Sequence, residues 1–250
     1  MNNTILNINN LSKSYYTKEK EILVLNNINL KIKDQSITAI VGPSGCGKTT
    51  LLNIIGNLDT KTKGELLFTD NKNKIGYMFQ NDTLFPWLTI LDNCLIGLKV
   101  RKELTKENIQ YVKKLLNNYG LQDFINSYPN NLSGGMRQRV ALIRTLAIKP
   151  DILLLDEPFS SLDYQSKLTV TDDVYKIIKK EKKTTIIITH DIGEAISIAD
   201  TIIVLSNRPA KIKKIYNIKL TNAKSPITNR NCKEFNNYYK QIWESIDHHV

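Results

Sequence analysis

The stretch Gly42-Pro-Ser-Gly-Cys-Gly-Lys-Thr49 follows an apolar run, Ser36-Ile-Thr-Ala-Ile-Val41, and precedes Leu51, Leu52, Ile54 and Ile55 at helical spacing. A strand, a glycine-rich loop and a helix in that order leave few folds open, and they point to an α/β protein. The loop fits the pattern G-x-x-x-x-G-K-[ST], whose physical content is a cradle for phosphate. Its glycines allow a tight nest of inward-pointing N–H groups, and a helix starting near Gly47 aims its positive end at the same point. Lys48 is placed to reach terminal phosphates, and the Thr49 hydroxyl to ligate magnesium. Glycine makes up only 11 of 250 residues, so chance supplies about 0.01 such matches in a chain of this length. The implied ligand is the phosphate tail of a nucleotide. Its binding positions are Gly42, Pro43, Ser44, Gly45, Cys46, Gly47, Lys48, Thr49 and Thr50.

Two more short apolar runs end in residues suited to nucleotide chemistry. Ile152-Leu-Leu-Leu155 runs into Asp156-Glu157, and Thr184-Thr-Ile-Ile-Ile-Thr189 into His190. Continuous rather than alternating apolar runs suit strands buried on both faces of a parallel sheet. Ligands of such sheets bind beyond the carboxyl ends of the strands, which would put all three groups on one edge. Ile5 to Leu30 reads as a small antiparallel sheet. Asn81 to Leu132 turns helical, with Ile90 to Leu98 and Lys106 to Asn118 as its segments and no convincing strand. Ile202-Ile-Val-Leu205 reads as a further strand and Phe235 to Ile246 as a closing helix.

Two adjacent carboxylates at a buried strand end are costly unless a cation joins them. Asp156 is placed to hold magnesium through water, and Glu157 to orient and polarise an attacking water. Gln80, after the strand-like Ile75-Gly-Tyr-Met-Phe79, offers an amide to the magnesium or the water; alone, it would be polar surface. His190 is suited to bond a terminal phosphate and sense its presence. Leu132-Ser-Gly-Gly-Met-Arg-Gln-Arg139 opens a helix running to about Ile148, with Ser133 as N-cap and Gly134 and Gly135 exposing backbone N–H groups. That is a second anion-binding design in a chain with one phosphate loop. Tyr15 is a candidate to stack on a purine ring, with Tyr16 as its rival.

Composition narrows the classes. Hydrophobic residues make up 41% and mean hydropathy is −0.28, which suits a soluble protein with a real core. No apolar run approaches the length of a membrane span, and the opening Met1-Asn-Asn-Thr-Ile-Leu-Asn7 has no pattern of an export signal. Cys46, Cys94 and Cys232 are too few and scattered for a disulfide framework or a zinc site, which points to a reducing cytoplasm. The net charge of +11 comes without an arginine cluster or a nucleic-acid motif, so no nucleic-acid partner is expected. Attraction to an anionic membrane surface is the better use for it.

Taken together, the phosphate loop, Gln80, Leu132-Ser-Gly-Gly135, Asp156-Glu157, Ser161-Leu-Asp163 and His190 resemble the nucleotide-binding subunit of an ATP-binding cassette (ABC) transporter. The resemblance covers roughly residues 4 to 210. It implies a P-loop NTPase core with a mostly parallel sheet, an N-terminal antiparallel β subdomain and an inserted α-helical subdomain. The chain would be one domain over 1–250, with 1–80 and 150–210 as core, 81–149 as helical subdomain and 211–250 completing the fold. It further implies a homodimer of two ATP-binding subunits packed head to tail. Each ATP would lie between one subunit's loop and Ser133-Gly134-Gly135 of the other, with Asp163 in the loop joining the two sites. Glu157 then matches the catalytic base, His190 the γ-phosphate switch and Tyr15 the adenine-stacking aromatic. Magnesium would accompany ATP, held by Thr49, Gln80 and Asp156.

A narrower resemblance rests on Tyr77-Met-Phe-Gln-Asn-Asp82, Phe85-Pro-Trp-Leu-Thr89, Leu91-Asp-Asn93, Pro158-Phe159 and Leu205-Ser-Asn-Arg-Pro209. These look like the nitrate, sulfonate and taurine importer branch, although Ser160-Ser161 stands where that branch more often has Gly-Ala. Such an ATPase would sit peripherally on the cytoplasmic face of the cell membrane. Its partners would be integral membrane permease subunits and an extracytoplasmic solute-binding protein. Phe85 and Trp87 would either line the groove for a permease helix or pack the helical subdomain. A soluble non-transport ABC ATPase is the competing function, disfavoured by a single cassette without a long coiled-coil insertion. A non-hydrolytic sensor is disfavoured by the presence of both Glu157 and His190.

Overall fold

The computed structural model describes residues 4–70, 74–221 and 223–246; the first three residues of the segment read for an export signal lie outside them. Two long strands, β1 (Thr4–Tyr16) and β2 (Glu21–Lys33), open the chain as an antiparallel pair. β3 (Ile37–Val41) enters the phosphate loop, and α1 (Lys48–Ile55) leaves it. β4 (Lys63–Phe68) returns to pair with β1, and β5 (Ile75–Met78) leads into the helical region. There α2 (Ile90–Val100), α3 (Lys106–Asn118) and α4 (Gly134–Ala147) follow one another with no intervening strand among the described residues. β6 (Ile152–Asp156), α5 (Tyr164–Lys180), β7 (Thr184–Ile188), α6 (Ile192–Ile198) and β8 (Thr201–Leu205) alternate after it. β9 (Ile212–Asn217), the short α7 (Pro226–Asn229) and α8 (Phe235–Ile246) close the chain.

The strands form two sheets. One is antiparallel, in the order β2-β1-β4; the other runs β5-β6-β7-β3-β8-β9, parallel throughout except that β9 is antiparallel to β8. The apolar runs are the central strands of the larger sheet, and β3, β6 and β7 are buried along their whole length. The alternation of strand side chains explains why each run is continuous. Ala39, Leu153, Leu155, Ile187 and Val204 face the core formed with the helices. Ile40, Leu154, Ile186, Ile188 and Ile203 face the core formed with α1 and the antiparallel sheet. Ile90, Cys94, Leu98, Val112 and Leu146 of the helical region belong to the first of these cores, so the helices share one apolar interior with the sheet.

Residues after Lys211 supply an edge strand and part of the interior. Tyr216, Phe235 and Ile242 are buried in the helix-side core, and the Tyr216 hydroxyl donates to the Gln241 carbonyl at 2.9 Å. No helix among the described residues is long and apolar enough to cross a membrane.

A buried asparagine organises the entry to the helical region. Asn93, fully buried on α2, accepts from the Phe85 N–H at 2.7 Å. Its amide donates to the carbonyls of Phe85, Leu88 and Thr89 at 3.0–3.1 Å. These bonds hold the segment carrying Trp87 on the surface, 70% exposed, with its ring centroid 5.4 Å from that of Phe85. Trp87 therefore does not pack the subdomain core. Replacing Asn93 by Ala strands buried backbone groups, and we expect a loss of about 2 kcal/mol, read from urea unfolding, with this loop loosened.

Candidate nucleotide site

The phosphate loop owes its shape to glycine. Gly45 (φ 71°) and Gly47 (φ 118°) occupy left-handed backbone conformations, and a Cβ on Gly47 would meet the Val24 and Leu25 side chains at 2.8 and 2.9 Å. No side chain caps α1 at Gly47, which leaves the positive end of the helix to a ligand. Gly42 and Cys46 are buried, and Cys46 packs its side chain into the core under the loop. The Lys48 ammonium turns back onto the loop, donating to the Gly42 and Pro43 carbonyls at 2.9 and 3.0 Å.

Over the loop lies a cleft of about 410 Å³. Tyr15, Ile22 and Val24 wall one side, Ser44, Gly45 and Gly47 to Thr50 form the floor, and Glu157 and Arg208 complete it. Tyr15 rather than Tyr16 faces this space; Tyr16 is 70% exposed and bonds Glu21. Tyr15 is held from behind. Its hydroxyl donates to Asp59 at 2.5 Å, and Asp59 pairs with the buried Lys13 at 2.6 Å. The Lys13 ammonium also lies 4.6 Å from the centre of the Tyr15 ring.

The chemical residues from the three strand ends meet at the carboxyl edge of the larger sheet. Thr49 Oγ1 donates to Asp156 at 3.2 Å, and Tyr77 Oη lies 3.4 Å from the other oxygen of that carboxylate. Glu157 Oε2 is met by Gln80 Nε2 at 3.4 Å and by His190 Nδ1 at 3.2 Å. Glu157 stands at φ 44°, left-handed and strained for a side chain of this size, while its N–H bonds the Ile188 carbonyl at 2.9 Å. That conformation turns the chain out of β6 directly after Asp156. His190 is followed by Asp191, the N-cap of α6, so the imidazole stands at the junction of strand and helix.

Burial pushes the Asp156 carboxyl above the usual carboxylate range, with the negative charge of Glu157 adding to the effect; the Thr49 and Tyr77 hydroxyls and Lys48 oppose it. The hydroxyl of Thr49 and the carboxylate of Asp156 are hard oxygen donors side by side, a pair that fits magnesium. Among the described residues no cluster of three His, Cys, Asp or Glu could hold a metal ion. Two protein donors suit an ion that keeps water and substrate phosphates as most of its shell.

Ser133 lies elsewhere. It caps α4, its hydroxyl accepting from the Met136 N–H at 3.3 Å, and the exposed start of that helix is not part of the cleft above the loop. Asp163 likewise caps α5, on the loop that follows Glu157.

Over residues 25–160 the chain matches the family model described as "ABC transporter". The chain belongs to the ABC transporter family. The aliphatic sulfonates import ATP-binding protein SsuB of Bacillus cereus is 36% identical over 97% of this chain and 96% of its own. The nitrate import ATP-binding protein NrtD of Synechocystis is 37% identical over 95% of this chain and 93% of its own. Among solved structures, a dimeric post-hydrolysis state of the ATP-binding cassette MJ0796 bound to ADP and Pi superposes with a TM-score of 0.73 at 33% identity, covering 86% of this chain and 99% of that one. The family assignment makes the chain an ATPase of the ABC type, resembling the sulfonate and nitrate branch. The two-sheet architecture is the fold that the motifs imply.

Several residues of the site carry no motif. Asp59 holds Tyr15 across 44 positions of sequence and is itself paired with Lys13 across 46, and Tyr77 reaches Asp156 over 79. Arg137 and Arg144 of the ABC signature helix α4 clamp the segment after Gln80, through Asp82 at 2.9 Å and the Thr83 carbonyl at 2.8 Å. The Arg137 of the signature run was the only sequence hint of this.

Proposed function

We propose that this chain is the ATP-hydrolysing subunit of a membrane importer for a small anionic solute such as nitrate, a sulfonate or taurine. The meeting of Gln80 and His190 on the Glu157 carboxylate, beside a cleft floored by the phosphate loop, carries the enzymatic reading. The similarity to the aliphatic sulfonates importer protein SsuB and the nitrate importer protein NrtD, both aligned over nearly the whole chain, supports import and the solute class. In this reading the adenine stacks on Tyr15, and the backbone N–H groups of residues 44–50 receive the phosphates. Lys48 exchanges the loop carbonyls for phosphate oxygens.

Magnesium, held by Thr49 and Asp156 with Gln80 near, would neutralise charge on the terminal phosphates. Glu157 accepts the proton of the attacking water, and His190 bonds the terminal phosphate while touching Glu157. Catalysis is then mainly positioning and electrostatics. A second copy supplies Ser133, Gly134 and Gly135, since these stand apart from the chain's own cleft. The whole chain acts as one ATP-binding domain on the cytoplasmic face of the membrane, with permease subunits and an extracytoplasmic solute-binding protein as partners.

Affinity purification of the tagged chain from detergent-solubilised membranes of its own cell tests this. A multi-spanning membrane protein is expected in fixed ratio with the chain, and deletion of the chain should abolish uptake of labelled nitrate, sulfonate or taurine. Recovery of active ATPase free of any membrane subunit would overturn the transport reading.

A further inference from the structure

Arg208 lines the cleft above the phosphate loop, yet none of the motifs that define the site includes it. It belongs to the run Leu205-Ser-Asn-Arg-Pro209, in the turn between β8 and β9. That turn is fixed at both ends. Before it, the Leu205 carbonyl lies 3.0 Å from where a Cβ on Gly42 would stand, so the turn leaves directly from the first residue of the phosphate loop. After it, Ala210 N–H donates to the Val24 carbonyl at 2.8 Å, and Asn26 N–H donates to the Ala210 carbonyl at 2.9 Å. Val24 is itself a wall of the cleft. The backbone on either side of Arg208 is thus tied to the floor and to the wall.

The side chain is exposed and has no hydrogen-bond, ion-pair or ring partner among the described residues. Lys48, by contrast, is already bound to two carbonyls. An arginine anchored at the backbone, unpaired at its tip and beside a cradle for phosphates has one well-matched ligand class. Its planar fork presents several N–H donors to phosphate oxygens.

We infer that Arg208 is a nucleotide-binding residue whose guanidinium donates to the phosphate chain of ATP. The inference rests on the reading of the cleft as the ATP site. It adds to that site a cation delivered from the β8–β9 turn, outside every phosphate-binding motif of the chain. Because the side chain is exposed and makes no hydrogen bond or ion pair among the described residues, its replacement should leave the fold unchanged.

The test compares ATP, ADP and adenosine as competitors against a fluorescent ATP analogue, on the purified full-length chain. R208Q is expected to weaken ATP and ADP about tenfold or more, and R208E further still. Adenosine should be unaffected, melting temperatures should stay at the wild-type value, and the difference should shrink at high salt. Equal weakening of adenosine would overturn the inference in favour of stacking on the base. Wild-type ATP affinity in both variants would overturn it outright. If the wild-type chain itself fails to bind ATP, the reading of the cleft falls instead.

Discussion

Glu157→Gln is expected to bind ATP and hydrolyse almost none of it. The carboxylate stands where the ends of β6 and β7 and the Gln80 segment converge, with Gln80 Nε2 at 3.4 Å and His190 Nδ1 at 3.2 Å from the same oxygen. Glutamine fills the same volume and can keep one contact, but it cannot accept a proton from water. Losing a general base costs about 10²- to 10⁴-fold in rate, and removing the adjacent charge relieves repulsion with the terminal phosphate. ATP binding should therefore hold or strengthen while turnover collapses. With hydrolysis blocked, two copies are expected to stay closed around ATP. Phosphate release and size-exclusion chromatography with and without ATP check both halves. If this variant stayed monomeric in saturating ATP, the two-copy sandwich would be untenable.

Ser133→Arg should separate binding from hydrolysis. The exposed N-terminus of α4 is no part of the chain's own cleft, so ATP binding to one copy is expected to stay within about twofold. Losing the bond from Met136 N–H costs about 1 kcal/mol of helix stability, which a thermal melt will show as a small shift. Hydrolysis, which in the two-copy reading needs this helix end against the partner's ATP, should fall about a hundredfold or more. A long cation would fill the space that the phosphate must enter. Turnover at the wild-type rate in this variant would mean that a single chain holds the complete site.

Much of the fold is legible locally. The runs Thr38–Val41, Ile152–Leu155 and Thr184–Ile188 read as doubly buried strands because they are continuously apolar but for threonines and hold no charged residue, and they lie side by side in the large sheet. Helices α2, α3 and α8 keep their apolar spacing almost to the boundaries expected for them. The edge strand β9 is not legible locally because Ile212–Asn217 carries two adjacent lysines and is mostly exposed, as an edge allows. Choosing between Tyr15 and Tyr16 was beyond local reading. Adjacent strand residues face opposite ways, and irregularities in the β1–β2 register decide which one meets the cleft.

Residue order alone determined the phosphate loop, the strands beside it and the membership of Asp156, Glu157 and His190 in one sheet edge. Glycine patterns and apolar periodicity are short-range signals, complete within a few residues. Tertiary structure alone decided what surrounds them: Lys13 and Asp59 behind Tyr15, Asn93 beneath the Phe85 loop, Gln80 on Glu157, and Arg208 at the cleft wall. Each of these is a single polar side chain meeting a distant partner. No period or spacing announces such a pair, because its energy arises only once packing has brought the two strands or turns together.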